Sequence, residues 1–397
     1  MALAALGAAG AGRAEQQPGS EVRTFLERLW PAAQTRGITR DTFERATAGF
    51  LPDPEVIEIA SRQPEHIKTP GTYLTDLVTE ARIDAGRRKA AEFADVLVAI
   101  EAAHGVDRHV LIAVWGIESA YGSAKGSRSV IRSLATLAML DARRAPYWTK
   151  ELLAALRILQ DGGLAPHTLR GSWAGAMGHT QFMPSTYGAH AVDFDKDGRR
   201  DVWETPADAL ASTASFLRAA GWVAGLPWGF EVALPPDFDF TWSAPGRSRT
   251  LAEWQADGVQ LADARDLPPV SKQTWRLILP AGAGGPAFLV SRNFQALLKY
   301  NPSGSYALTV GHLAQRIAGT GPLAAAWPAG ERGLTRAERE ELQALLASQG
   351  HDTGGRDGVI GDRTQAAIRA SQRTHKLVED GYPNTELLRR LRANIWP

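Results

Sequence analysis

The sequence predicts an α+β protein that is mainly helical, and three features of the chain support this prediction. From about residue 20 to about residue 220, apolar residues recur at the spacing of amphipathic helices. After Gly225 the pattern changes to the alternation that is typical of strands. Beyond a segment rich in glycine, alanine and proline, helical spacing returns. We therefore expect a helical protein with a small antiparallel β insertion, followed by a small three-helix domain.

Four segments of the first half show this helical spacing most clearly. They are Val22 to Trp30, Arg88 to Ala103, Thr149 to Leu159 and Pro206 to Ala219. Before the last of these, Thr205 stands at the expected N-cap position, and Pro206 at the first helical position.

The β insertion is predicted over about residues 226–290. Gly229 to Leu234 alternates, and Thr274 to Leu279 and Ala287 to Val290 flank a turn rich in glycine, proline and alanine. Helices are predicted again near Asn293 to Lys299 and Tyr306 to Ile317. Together with the preceding helices, these elements form a predicted main domain over residues 20–318.

A linker is predicted over residues 319–333 because this segment is dominated by glycine, alanine and proline. The small C-terminal domain is predicted over residues 334–393. It opens with a capping box formed by Thr335 and Glu338, and further helices are expected over Thr364 to His375 and Thr385 to Leu391. A domain of this size is near the lower limit for independent folding.

Composition excludes several classes of protein. The chain of 397 residues contains 44 basic and 43 acidic residues, so phosphate contacts cannot sustain nucleic-acid binding, and no basic face is available for anionic membranes. There is no cysteine, which excludes disulfides, thiolate metal ligands and cysteine nucleophiles. The absence of cysteine also predicts that no lipid anchor is attached.

The N-terminal residues 1–14 are small and apolar and resemble the end of a secretory signal cleaved after Ala14. The alternative is a disordered tail of alanine and glycine. No other stretch approaches the length of a membrane span. We expect a soluble, exported, periplasmic protein that acts as a monomer.

Glu118 is an isolated carboxylate within the apolar segment Leu111 to Gly122. Lost hydration raises the pKa of a carboxyl group, so this residue should retain its proton near neutral pH. A protonated acid in a cleft is what cleavage of a glycosidic bond requires. The alternative is a helical glutamate that simply points to solvent.

Two downstream segments carry polar and aromatic groups suited to sugars. Within 171–187, Ser172 and Gln181 offer hydrogen bonds, although the segment is also consistent with a glycine-rich helix contact with buried aromatics. Asn301 after Tyr300 can orient an acetamido group, although Asn-Pro also marks an ordinary turn. No second carboxylate has a clear place opposite Glu118, so a glycosidase site here would take its nucleophile from the substrate.

An acidic loop at residues 193–204 matches the calcium-loop pattern D-x-D-x-D-G-x5-E. Asp193, Asp195 and Asp197 supply oxygen ligands, the Arg199 carbonyl offers another, and Glu204 would close the loop. The alternative is an acidic surface loop neutralised by neighbouring basic residues. We expect a structural calcium ion rather than a calcium sensor, and no cofactor for catalysis.

Taken together, these segments resemble the lytic murein transglycosylase B family over roughly Phe25 to Ile317. The resemblance implies a lysozyme-like catalytic core. It implies nonhydrolytic cleavage of the β-1,4 bond between N-acetylmuramic acid and N-acetylglucosamine in peptidoglycan, with a 1,6-anhydro product. Glu118 would be the general acid and then the base. Ser172, Gln181 and Asn301 would line the catalytic subsite, and further contacts to glycan or peptide would come from Tyr73, Arg143, Arg144, Phe182, Met183 and Tyr300.

The same resemblance places the closing metal ligand at Asp208, so Glu204 and Asp208 both remain open. Residues from about Leu334 to Leu391 resemble the three-helix peptidoglycan-binding domain through Gln343, Asp357-Gly358, Gln372 and Asp380-Gly381. The expected partners are therefore peptidoglycan glycan strands and other cell-wall enzymes. A hydrolytic muramidase and a noncatalytic wall-binding scaffold are the alternative functions.

Overall fold

The computed structural model describes residues 18–61, 68–268 and 273–396. The predicted signal-like segment, residues 1–14, lies outside the described residues. The described chain is mainly helical, with small antiparallel sheets, and divides into two compact units. The first unit comprises the described residues up to Ser61, with 126–177 and 183–188, and the second comprises the remainder. Among the described residues, no helix is both long and apolar enough to cross a bilayer.

The first unit is built from helices and one short strand pair. Its elements are α1 (Pro18–Thr35), α2 (Arg40–Thr47), α3 (Pro54–Ser61), β1 (Arg128–Ser129), α8 (Val130–Leu140), α9 (Ala145–Gly162), a 3-10 turn (Pro166–Thr168), β2 (Arg170–Gly171) and most of α10 (Pro184–His190). The predicted helices at Val22 and Thr149 are confirmed within α1 and α9. Strands β1 and β2 pair antiparallel.

The second unit holds the remaining elements. They are α4 (Pro70–Leu77), α5 (Glu80–Glu92), α6 (Ala94–His104), α7 (Arg108–Ser119), α11 (Pro206–Ala219), β3 (Gly229–Ala233), a 3-10 turn (Phe240–Ser243), β4 (Arg249–Thr250), α12 (Leu251–Ala256), β5 (Gln260–Leu261), β6 (Thr274–Ile278), β7 (Pro280–Ala283), β8 (Ala287–Val290), α13 (Arg292–Tyr300), α14 (Gly304–Ile317), α15 (Arg336–Ser348), α16 (Asp362–Thr374) and α17 (Thr385–Ala393).

Helix α7 is the central helix of the second unit. Its apolar segment Leu111–Val114 is fully buried and packs against α5, α11 and α14. Asp107 caps its start by accepting bonds from His109 N and Val110 N. The helix ends at Ser119 because Ala120 adopts a left-handed conformation with φ of 48°. A fully buried helix of this kind holds its last turn in a fixed position.

The predicted antiparallel insertion is confirmed as a five-stranded sheet in the order β4-β6-β8-β3-β5. The three longer strands occupy its centre, with Glu231 opposite Phe288 and Leu277 opposite Leu289. One face covers a separate apolar cluster centred on Trp254 and Trp275, which are both 0% exposed. The short strands β4 and β5 were not predicted, since two residues are too few to show alternation.

Two local predictions differ from the structure. The single helix predicted over Arg88 to Ala103 is wrong, because the chain breaks at Phe93 into α5 and α6. There the backbone turns to φ −104° and ψ 22°, and the ring packs edge-on against Trp115 with centroids 5.5 Å apart. Thr205 does precede α11, but its side chain makes no capping hydrogen bond.

The C-terminal helices α15 to α17 enclose their own apolar cluster. The predicted capping box of Thr335 and Glu338 is confirmed. Two buried glutamines each clamp an Asp-Gly turn. Gln343 donates to Asp357 Oδ1 and accepts from Gly358 N, while Gln372 makes the equivalent bonds to Asp380 and Gly381.

The segment between Ile317 and Arg336 contains no helix or strand. It is nevertheless attached to the rest of the second unit. The Glu231 carboxylate accepts hydrogen bonds from Ala324 N at 2.9 Å and from Ala325 N at 2.8 Å. Asp380 Oδ2 accepts a bond from Ala283 N at 2.9 Å, which joins the C-terminal helices to the insertion.

Candidate active site

Glu118 lies in the last turn of α7, at the end of its buried segment. Burial raises the pKa of this carboxyl group from an ordinary 4.5 to about 7, and a hydrogen bond from Tyr306 opposes the rise. Desolvation dominates because the flanking turns of the helix are apolar. The carboxyl group is therefore partly protonated at neutral pH, as a general acid must be.

Tyrosines surround this carboxyl group. The Tyr306 hydroxyl donates to Glu118 Oε1 at 2.6 Å. Tyr300 lies parallel to Tyr306, with ring centroids 6.3 Å apart and an angle of 3° between the planes. Tyr73 is close enough for the charge of Glu118 to raise its pKa, although burial contributes more. Flat faces and hydroxyl groups beside a protonated acid suit a sugar ring.

Tyr306 was missed as a site residue by the sequence reasoning. It was assigned only to the start of a helix, and the structure places it in the first turn of α14, where Ser303 Oγ caps its backbone N–H. The available signal was an aromatic residue at a capped helix start directly after the Tyr300-Asn301 pair. That signal is weak, because aromatic residues at helix starts are usually part of the core.

Phe182 lies behind the tyrosines. Its side chain is 2% exposed, and it packs against Tyr300 with centroids 6.0 Å apart and against Phe216 at 6.3 Å. The Tyr300 hydroxyl donates to Thr180 O at 2.6 Å, which fixes the tyrosine from the other end. In this arrangement Phe182 supports Tyr300 and leaves almost none of its own surface exposed.

A second network anchors the end of α7. Trp115 Nε1 donates to His179 Nδ1 at 3.0 Å, and Ser119 Oγ donates to His179 O at 2.5 Å. Gly122 has φ of 89°, and a Cβ atom there would lie 2.5 Å from the imidazole. Burial, assisted by Lys125, lowers the pKa of His179 to about 4, so the ring is neutral and can accept the indole bond.

Gln181 and Asn301 are polar residues of the same unit. Gln181 has φ of 53°, and its Nε2 donates to Lys125 O at 3.1 Å and to Gly178 O at 2.9 Å. These bonds use the amide donors and leave Oε1 to accept from a ligand. Asn301 ends α13 in an extended conformation and is partly exposed.

The other predicted substrate contacts belong to the first unit. Ser172 Oγ accepts from Ala176 N at 3.0 Å, so its hydroxyl hydrogen remains available to donate. Arg143 and Arg144 are exposed at the start of α9, and Met183 is partly exposed. The Arg144 guanidinium lies 4.4 Å from the centroid of the Trp148 ring, a cation–π contact that holds the side chain in place.

The acidic loop brings three carboxylates together. Oxygen atoms of Asp193, Asp195 and Asp197 lie within 4.8 Å of one another. Gly198, with φ of 90°, makes the turn and donates its N–H to Asp193 Oδ2 at 3.0 Å. Asp193 Oδ1 is buried and has no hydrogen-bond partner. Converging carboxylates with an unpartnered buried oxygen fit a hard cation such as Ca²⁺.

The two candidate closing ligands differ in position. Glu204 is well exposed and lies 3.2 Å from Lys125 Nζ. Asp208 is 1% exposed on α11, where it accepts bonds from Phe194 N at 2.7 Å and Asp201 N at 2.8 Å. Burial raises the pKa of Asp208, and these backbone bonds oppose the rise. Asp208 thus ties both ends of the loop to the core.

Two protein families match the chain. The transglycosylase SLT domain family matches residues 21–315, and the peptidoglycan binding domain family matches residues 335–391. Membrane-bound lytic murein transglycosylase B from Escherichia coli K12 is 32% identical over 255 residues. That alignment spans 62% of this chain and 66% of the relative.

The solved structures that resemble this chain are also lytic transglycosylases. SltB3 from Pseudomonas aeruginosa, crystallised with NAG-anhNAM-pentapeptide, has a TM-score of 0.90 and 47% identity, covering 94% of this chain and 99% of that one. Escherichia coli lytic transglycosylase Slt35 in complex with calcium has a TM-score of 0.63 and 27% identity, covering 75% of this chain and 92% of that one. The matches confirm the predicted mainly helical α+β fold with a lysozyme-like core.

Proposed function

The chain belongs to the lytic transglycosylase family of enzymes that act on peptidoglycan, and we propose that it cleaves the MurNAc-β-1,4-GlcNAc bond without water. In this proposal Glu118 protonates the glycosidic oxygen, and the GlcNAc end departs. The muramyl 6-hydroxyl then attacks its own anomeric carbon and returns its proton to Glu118. The products are a new GlcNAc 4-hydroxyl and a 1,6-anhydroMurNAc end.

The observation that carries this proposal is the state of Glu118. Burial raises its pKa to about 7, against the opposing hydrogen bond from the Tyr306 hydroxyl. No other described carboxylate contributes to this shift. A hydrolase of this bond ordinarily needs a second carboxylate to activate water or to form the glycosyl intermediate. A single protonated acid instead favours a nucleophile supplied by the substrate.

The other polar residues have supporting roles in the proposal. Oε1 of Gln181 accepts a sugar hydroxyl, and Asn301 orients the acetamido group. Ser172 donates to the muramyl sugar, while Tyr300 and Tyr73 provide apolar faces. Glycan or peptide contacts are assigned to Arg143, Arg144 and Met183, and Phe182 acts through Tyr300. These assignments rest on the family resemblance.

Mass spectrometry of muropeptides released from purified peptidoglycan in oxygen-18 water tests the reaction. We expect anhydromuramic ends that carry no label, and loss of release in Glu118→Gln. Labelled reducing ends would instead make the protein a hydrolytic muramidase. Binding without any release would make it a noncatalytic scaffold. Glu27→Gln, an exposed substitution on α1, is the matched control for the loss of one charge.

We further propose a structural Ca²⁺ in the acidic loop. Asp193, Asp195, Asp197 and the Arg199 carbonyl would hold it, closed by Asp208 or alternatively by Glu204. The three converging carboxylates and the unpartnered Asp193 Oδ1 support this. The ion would neutralise their mutual repulsion and fix the start of α11.

Calcium binding to the folded state alone should raise the melting temperature by mass action. We expect a higher melting temperature in added calcium than in chelator, and a reduced difference in Asp195→Asn. The exposed Asp237→Asn substitution is the control and should keep the full difference. Equal melting temperatures with and without calcium would rule out the ion. A reduced difference in Glu204→Gln would assign the closing position to Glu204, and an unchanged one to Asp208.

We also propose that the chain acts in the periplasm, where its substrate lies, and that residues 1–14 direct export. The apolar composition of this segment supports the proposal. Cell fractionation of the tagged chain, with and without residues 1–14, tests it: export should require the segment, and equal export of both forms would contradict the proposal.

A further inference from the structure

The segment 323–328, which we call the strap, lies within the stretch that composition predicts as a linker. Its backbone is bonded to β3, where the Glu231 carboxylate accepts from two consecutive N–H groups of the strap. Its side chains Leu323 and Trp327 pack against the apolar cluster that surrounds α7. A flexible linker would make neither set of contacts, so the strap follows a defined path across the second unit.

Trp327 reaches the first turn of α4. Gly71 in that turn is buried, and a Cβ atom there would lie 2.7 Å from Cδ2 and 2.8 Å from Cγ of the indole. The indole therefore rests on the backbone of α4, at a position where glycine leaves room for it. Pro328 continues this path and lies 3.4 Å from the position of a Cβ atom at Gly285, in the turn between β7 and β8.

Helix α4 depends on such contacts for its position. It has eight residues, and an isolated helix shorter than about 12 residues is marginal in water. Its buried residues Gly71 and Leu74 are three positions apart and so share one face, while the helix packs against α14 and β7. Trp327 contacts this buried face at Gly71, at the end of the helix where the chain enters it.

Tyr73 connects α4 with the candidate active site. It stands between Gly71 and Leu74 in the sequence but on another face of the helix, and it is partly exposed. Burial raises the pKa of its hydroxyl, and the nearby Glu118 carboxylate raises it further. One short helix thus carries both the contact with Trp327 and a side chain beside Glu118, so a shift of α4 at Gly71 would displace Tyr73 from the acid.

We propose that the strap is part of the catalytic unit and that Trp327 is a positioning residue, which holds α4 so that Tyr73 presents its ring to a sugar bound beside Glu118. The inference rests on the proposed function, which assigns Tyr73 an apolar face for the glycan, and deepens it by adding a residue outside the site. A ring that is already held in place loses less conformational entropy when the sugar binds, so positioning contributes to affinity.

Steady-state kinetics on soluble glycan strands stripped of peptide tests this role. Trp327→Ala should raise KM about tenfold and change kcat by less than about twofold, because Tyr73 contributes binding rather than proton transfer. Trp327→Phe keeps an aromatic ring against the helix and should return KM to within about threefold of the parent value. An unchanged KM in Trp327→Ala would overturn the proposal.

The matched control is Trp396→Ala, which removes another partly exposed tryptophan, stacked on His375 near the end of the chain. It should leave KM at the parent value. An equal rise in KM in Trp396→Ala would point to general destabilisation and overturn the role of Trp327.

Glu231→Gln releases the strap more gently and provides a second variant if Trp327→Ala does not fold. Each carboxylate oxygen of Glu231 accepts one backbone bond, whereas glutamine has a single acceptor oxygen, so one of the two bonds is lost. KM should rise about threefold. A KM equal to that of the parent would overturn the anchoring of the strap.

Combining Trp327→Ala with Tyr73→Ala separates positioning from a merely structural role. If Trp327 acts through Tyr73, the two effects on KM are not additive in free energy, and Trp327→Ala should add almost nothing once Tyr73 is absent. Its effect on the melting temperature should be the same with and without Tyr73, because the contact of the indole with Gly71 is present in both cases. Independent, multiplicative effects on KM would overturn the proposal.

Hydrogen exchange followed by mass spectrometry gives a readout that does not depend on activity. Trp327→Ala should speed exchange of the α4 amides about tenfold, since lost buried contacts lower the free energy of local opening, and should leave α16 unchanged. Unchanged exchange in α4 would overturn the strap alone. Labelled reducing ends from the parent protein in oxygen-18 water would overturn the proposed function alone, because KM and exchange can be compared whichever product forms.

Discussion

Replacing Glu118 with glutamine should stabilise the protein at high pH, and the size of the effect follows from the structure. The folded state raises the pKa of Glu118 from 4.5 to about 7. Each pKa unit corresponds to about 1.4 kcal/mol, so the shift corresponds to about 3 kcal/mol. The fold therefore favours the protonated carboxyl group over the ionised one by this amount.

The direction of the pKa shift of Glu118 determines the pH range over which stability changes. A raised pKa means that the folded state binds the proton more tightly than the unfolded state does. This stabilisation is fully present below about pH 4.5 and is lost as the pH rises to about 7. Glutamine cannot ionise and keeps the hydrogen-bond acceptor that Tyr306 requires. Relative to the parent protein, the free energy of unfolding of the variant should therefore increase across this pH window, by up to about 3 kcal/mol near pH 8.

Urea unfolding at a series of pH values between about 4 and 8 measures this gain directly. The free energies of unfolding of parent and Glu118→Gln should differ by a constant at acidic pH, and the difference should widen as the pH rises. Glu27→Gln is the control, because it removes one carboxyl group from an exposed position on α1 and leaves the buried one in place. A flat difference for Glu118→Gln would show that burial does not hold a proton on this carboxyl group, and would refute the acid assignment.

Further predictions concern the contacts around this site and in the core. Tyr306→Phe removes the bond that lowers the pKa of Glu118, so the alkaline limb of the pH–activity profile should move up by about one pH unit; an unmoved limb would count against this role. Gly311→Ala would place a Cβ atom 2.4 Å from the Trp228 ring and should destabilise the fold by about 1–3 kcal/mol in urea unfolding. Gly188→Ala, a helical position with nothing within 4 Å, should instead be neutral or slightly stabilising.

Local sequence patterns predicted many of the longer elements. The spacing of apolar residues predicted α9 and α14, and alternation predicted β3, β6 and β8. The Thr335–Glu338 pair predicted the start of α15. These predictions succeed because amphipathic spacing and capping involve residues close together in the chain. Phe93 shows the limit, since the break there coincides with packing against Trp115, which no local pattern records.

The residues of the candidate site likewise fall into those that a local pattern predicts and those that only long-range contacts bring together. An isolated Glu118 in an apolar segment was sufficient to predict a carboxyl group with a raised pKa, and the spacing of the aspartates was sufficient to predict the acidic cluster. Tyr306 could not be assigned, because it lies 188 residues from Glu118 along the chain. The burial of Phe182 likewise depends on Phe216 and Tyr300, which belong to distant helices.

By itself, then, the sequence determined many of the longer elements, the isolated acid and the acidic loop, because each is defined by neighbours within a few residues. Only the tertiary structure decided which side chains from distant parts of the chain are in contact. It joined Tyr306 to Glu118, placed a neutral His179 against Trp115, and left two buried donors of Arg369 without a hydrogen-bond partner. It also divided the chain into two compact units, each formed from several separate stretches of sequence. Burial and partner choice depend on long-range contacts, whose desolvation sets the pKa values on which the proposed chemistry depends.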